Sequence, residues 1–109
     1  MANAYKVLGQ TNPSATTATT LYTVPASTSA VLSTLAVANL STSAVTFRVA
    51  IRPSGATLAN QHYIAYDSGL AANDSVFLTL GISLAATDVV TVYASTGNVA
   101  FSVFGSEVT

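Results

Sequence analysis

A chain of 109 residues has room for one domain and one core. Its three cations, at a formal net charge of −1, cannot make the several phosphate contacts that nucleic-acid binding needs, and its lack of cysteine excludes a disulfide framework and a thiolate metal site. Charged residues are only 6% of the chain, against about a quarter in an ordinary soluble domain, and so little charge on a half-apolar chain points to a packed neighbour, because large exposed apolar patches mark interfaces.

The mean hydropathy of +0.55 raises the question of a membrane. A spanning helix needs about 18 nearly uninterrupted apolar residues, and the best stretch, 30–40, is broken by Ser33, Thr34 and Asn39. Met1-Ala2-Asn3-Ala4-Tyr5-Lys6 shows no basic region leading into an apolar one, so no secretory signal is visible. An outer-membrane barrel of eight strands of about ten residues would leave almost nothing for connections. No membrane association is expected.

Period-two alternation and β-branched residues dominate, and eight strands follow in order. The first covers 5–10 and leads into a polar stretch, 11–19, that contains the turn-forming Asn12-Pro13. The second, 20–24, stops at Pro25. The third, 30–39, sets Val31, Ser33, Leu35 and Val37 against Leu32, Thr34, Ala36 and Ala38; both faces are fairly apolar, which predicts a central strand. The fourth, 45–52, alternates most clearly, with Phe47, Val49 and Ile51 facing the core and Thr46, Arg48, Ala50 and Arg52 facing away.

Pro53-Ser54-Gly55 turns the chain into a fifth strand, 61–67, in which His62, Ile64 and Tyr66 oppose Tyr63 and Ala65. Ser68-Gly69 and Ala72-Asn73-Asp74 mark the next connection. The sixth strand, 75–82, puts Val76, Leu78 and Leu80 on one face and Phe77 and Thr79 on the other. Residues 83–88 read as a loop or one helical turn before the seventh strand, 89–94. Ser95-Thr96-Gly97-Asn98 reads as a hairpin connection to the last strand, 99–108, in which Val99, Phe101 and Val103 oppose Ala100, Ser102 and Phe104. Eight short strands at regular spacing indicate a sandwich or a small barrel. The expectation is all-β: a single-domain antiparallel β-sandwich over 1–109, with a jelly roll among its arrangements. Its core is expected at Phe47, Val49, Ile51, Val76, Leu78, Leu80, Phe101 and Val103.

The chain carries little that points to catalysis. His62 is the one histidine, and no G-x-S-x-G nucleophile turn occurs, so no enzyme is expected and His62 reads as a rim or subunit-contact residue. Asp67, Asp74, Asp88 and Glu107 are too scattered for a calcium loop. Asp74 and Asp88 each precede a strand, where an Asp side chain caps backbone donors. Neither a metal nor another cofactor is expected.

Asn39-Leu40-Ser41 and Asn73-Asp74-Ser75 match the glycosylation pattern, a short motif that arises by chance in so serine-rich a chain. Tyr5, Tyr22, Tyr63, Tyr66 and Tyr93 are the aromatic surface candidates, for protein interfaces or for sugars, although tryptophan is absent. Arg48 and Arg52 lie four apart on one strand face, about 13 Å at strand rise. The expected contact residues are Tyr5, Arg48, Arg52, His62, Tyr63 and Tyr66.

Four segments carry a family resemblance: Tyr5-Lys6-Val7-Leu8-Gly9-Gln10, Leu21-Tyr22-Thr23-Val24-Pro25-Ala26, Phe47-Arg48-Val49-Ala50-Ile51-Arg52, and the run 84–94, LAATDVVTVYA. Together they resemble small virion proteins of tailed bacteriophages, above all the β-rich decoration, or cement, proteins of the outer capsid. The resemblance implies a structural protein made in the host cytoplasm and placed on the virion surface. It also implies the major capsid protein as partner and a homo-oligomer, with a trimer as first choice. A tail or tail-fibre subunit with a receptor-binding role is the alternative, in which Tyr63 and Tyr66 would meet a receptor sugar.

Overall fold

The computed structural model describes residues 3–109. Eight strands form: β1 (Asn3–Thr11), β2 (Thr19–Thr23), β3 (Ser29–Asn39), β4 (Val45–Arg52), β5 (Tyr63–Leu70), β6 (Ser75–Leu84), β7 (Val89–Ala94) and β8 (Val99–Val108). They make two four-stranded antiparallel sheets, ordered β1-β8-β3-β6 and β2-β7-β4-β5. Successive strands alternate between the sheets except at β4–β5, a hairpin whose connection contains two 3₁₀ turns, Pro53–Gly55 and Asn60–His62. This interleaved order is that of a jelly roll.

The order also corrects one expectation. Residues 95–98 do not close a hairpin: β7 pairs with β2 and β4, β8 with β1 and β3, so the segment crosses from one sheet to the other. Gly and Asn there satisfy the composition of a tight turn without the pairing of one.

The core lies between the sheets, built from the inward residues of the four central strands. Leu32, Leu35, Val37, Phe47, Val49, Val90, Val92, Val99, Phe101 and Val103 are all at most 2% exposed. Strand β3 is central, as its two apolar faces predict, but its alternation breaks. A register shift between Leu32 and Thr34 places Ser33 in a bulge, so that Leu32 and Leu35 both point inward while Val31 faces out. The expected grouping of Leu35 with Val31 therefore fails.

The two sides of the sandwich differ. Gly9 on β1 lies so close to the Leu21 carbonyl of β2 that a Cβ would collide with it, and this approach closes the side where β1 meets β2. On the opposite side Val76, Leu78, Leu80 and Ile82 of β6 pack against the core but stay partly exposed, and Ile64 of β5 is 47% exposed. Of the expected core, Phe47, Val49, Phe101 and Val103 are buried, whereas Ile51, Val76, Leu78 and Leu80 sit at its margin. Their inward phase is as expected; Val76, Leu78 and Leu80 are half covered because β6 is an edge strand, and Ile51 because it stands near the end of β4.

Polar groups inside are satisfied. Asn39 is 3% exposed, and its amide donates to the Ser43 and Ala71 carbonyls at 2.8 and 3.0 Å while its carbonyl accepts from the Ser41 N–H and hydroxyl. The first glycosylation pattern is thus a buried structural amide, holding the β3–β4 connection to the end of β5.

Candidate functional site

The cations and carboxylates all have partners within the chain. Lys6 pairs with Glu107 at 2.6 Å and Arg48 with Asp67 at 2.7 Å. Asp88 accepts from the Ser54 and Ala85 N–H groups, each at 2.9 Å, and Asp74 from the Ser75 N–H at 2.8 Å, as their positions before strands predict. Arg52 donates from Nε to the Ala56 carbonyl at 2.9 Å and from Nη2 to the Gly55 carbonyl at 3.2 Å. It fastens the β4–β5 connection. Little charge is left over for a partner.

Two surfaces stand out against that background. The first is the outer face of the β1-β8-β3-β6 sheet. Cross-strand register gives it three complete rows: Tyr5, Ser106, Val31, Ser83; Val7, Phe104, Thr34, Thr79; and Gln10, Ser102, Ala36, Phe77. A shorter row of Ala100, Ala38 and Ser75 follows. No charged residue occurs in any of them. Tyr5 is 82% exposed, Phe77 67% and Val7 48%, large values for apolar side chains on one sheet face.

The second surface lies on the outer face of the other sheet. Arg48 on β4 pairs with Tyr93 on β7, and β5 is irregular opposite it: the register slips between Phe47 and Val49 and again between Val49 and Ala50. Asp67 adopts a left-handed φ of 50°, tolerable for Asp in a bulge. The irregularity brings Tyr63, Tyr66 and Asp67 all to the Arg48 side. The Arg48 guanidinium stands 4.2 Å from the centroids of both the Tyr66 and Tyr93 rings. Asp67 accepts from its Nε at 2.7 Å and its Nη2 at 3.3 Å. That hydrogen-bonded carboxylate, more than any other neighbour, holds the Arg48 pKa above its already high ordinary value. Tyr63 meets Tyr66 edge to face, centroids 4.9 Å apart at 82°, and with Asn60 the two rings line an open cleft.

Of the expected contact residues, Arg48, Tyr63 and Tyr66 come together here. Strict alternation put Tyr63 and Tyr66 on opposite faces; the bulges of β5 put them on the same one. Tyr5 lies on the other sheet. Arg52 is occupied as described, and His62 accepts the Ala59 N–H at Nδ1, 3.0 Å away, within the second 3₁₀ turn. Asp67, Tyr93 and Asn60 were not among the expected contacts; Tyr93 joins only through the pairing of β4 with β7, which spacing along the chain does not reveal. The outward position of Phe77 was legible from alternation.

Among the described residues no three His, Asp or Glu side chains gather as a metal site. No protein-family model matches the chain, and no curated protein matches it.

Proposed function

We propose that the chain is a phage virion structural protein, an outer-capsid decoration (cement) protein that binds the major capsid protein lattice through the uncharged face of β1-β8-β3-β6. The observation that carries this reading is the four-strand face itself, with three complete cross-strand rows, no charge, and Tyr5, Val7 and Phe77 exposed. A jelly roll is also an architecture that viral capsid domains use. A protein that binds only the assembled lattice stabilises it by mass action, in proportion to occupancy and affinity. The family resemblance adds a homotrimer as the binding unit.

Because the charges are satisfied internally, attachment rests on apolar burial and backbone hydrogen bonds. Capsids lacking the protein should rebind it about equally well from low to high sodium chloride, and slightly better in sulfate, since excluded salts strengthen apolar burial while salt screens exposed ion pairs. Phe77→Lys should abolish rebinding. Steep loss of binding with chloride would overturn the apolar attachment. The copy number per particle tests the placement: hundreds fit a decoration protein, tens a tail or fibre subunit.

A further inference from the structure

We propose that the cleft formed by Asn60, Tyr63 and Tyr66 is a binding site for a neutral saccharide. This inference concerns the free protein and stands whether or not the lattice reading does.

A pyranose has a ring face of C–H bonds and a rim of hydroxyls, so it needs an exposed aromatic face with hydrogen-bonding groups beside it. Tyr66 is 57% exposed, and Tyr63 stands almost perpendicular to it, which makes a floor and a wall. The Asn60 amide at the edge of the cleft supplies two donors and an acceptor. Asp67 uses only part of its acceptor capacity on Arg48 and keeps 45% of its side chain exposed, leaving lone pairs for sugar hydroxyls close to Tyr66. Pockets for small molecules combine such aromatic surface with a few convergent polar groups.

The floor is held in advance of binding. The Arg48 guanidinium is clamped between the Tyr66 and Tyr93 rings and fixed in orientation by Asp67, so the Tyr66 ring loses little freedom when a ligand stacks on it. The same clamp argues for a neutral ligand. Arg48 has its charge met by a carboxylate and its faces covered by rings, and Arg52, the other cation of β4, is committed to backbone carbonyls.

The cleft and the uncharged sheet face lie on opposite outer surfaces of the sandwich. A subunit seated by one face would present the other to the medium. A single open site of this kind binds weakly, and many copies on one particle would multiply it through avidity.

Saturation-transfer NMR on the purified protein, with methyl glycosides of glucose, galactose and N-acetylglucosamine and with a sialoside as the anionic control, tests the assignment. At least one neutral glycoside should receive saturation, with protein shifts confined to the region of Asn60, Tyr63 and Tyr66. Tyr66→Ala should weaken that binding about tenfold, whereas Tyr66→Phe, which keeps the ring, should stay within about threefold. Asn60→Ala, outside the strands, should weaken it about fivefold and serves if Tyr66→Ala fails to fold. Absence of transfer to every neutral glycoside, transfer undiminished in Tyr66→Ala or in Asn60→Ala, or transfer to the sialoside alone would each overturn the proposal.

Discussion

Phe47 and Phe101 meet edge to face across the middle of the sandwich, ring centroids 6.2 Å apart at 70°, and link the two sheets where both are fully buried. Phe47→Ala leaves a cavity that neighbours on two rigid sheets cannot fill. It should lower the unfolding free energy by about 3–5 kcal/mol, a large part of what a domain of this size possesses. Leu78→Ala, at the half-covered margin on β6, should cost less. Denaturant titration of the two variants checks the order, and a larger loss at Leu78 would show that the core centre lies nearer β6. The inward residues of β4 and β8 could be read from the sequence because nothing interrupts their alternation. Leu35, Tyr63 and Tyr66 could not, since one bulged residue reverses the face of everything beyond it and its position depends on the partner strand.

At the scale of elements, β1, β2 and β8 are joined by one polar seam. The Tyr22 hydroxyl donates to Glu107 at 2.5 Å, and Lys6 pairs with the same carboxylate. Hydrogen bonding to Lys6 and then Tyr22 lowers the Glu107 pKa, while burial, reinforced by Glu107, raises that of Tyr22. A carboxyl with a depressed folded pKa adds stability above its ordinary value and loses it as pH falls through the folded value. A phenol with a raised one adds stability below its ordinary value of 10.0 and loses it only as pH rises through the folded value. The seam should therefore weaken in acid. Glu107→Gln, which can still accept the Tyr22 hydrogen bond, should flatten the fall of stability between about pH 5 and pH 2 in denaturant titrations; an unchanged acid limb would mean the seam contributes nothing. The bounds of β4 and β7 were legible to the residue, because punctuation and alternation agree there. The clustering of Arg48 with Tyr93 and Asp67 was not, because it depends on which strands pair.

The whole molecule is two sheets whose middle strands come from distant parts of the chain. β8 lies between β1 and β3, and β7 between β2 and β4. A chain ending at residue 98 would leave β1 without its partner and β3 with only β6, and it should show neither cooperative unfolding nor protected amides in hydrogen exchange. Persistence of a protected β2-β7-β4-β5 sheet in that fragment would show that the sheets fold separately. The interleaved order also dictates when in the life of the polypeptide it acquires shape. Translation proceeds at about 5–20 residues per second, and until β8 has been made neither β1 nor β3 has its central neighbour. Domains dominated by such non-local pairings fold in about milliseconds to seconds, so the sandwich closes only after β8 has joined, and until then β1 and β3 stand with unpaired edges. A chain so short of repelling charge is most vulnerable to aggregation in that interval, and its yield should depend on how crowded the nascent copies are.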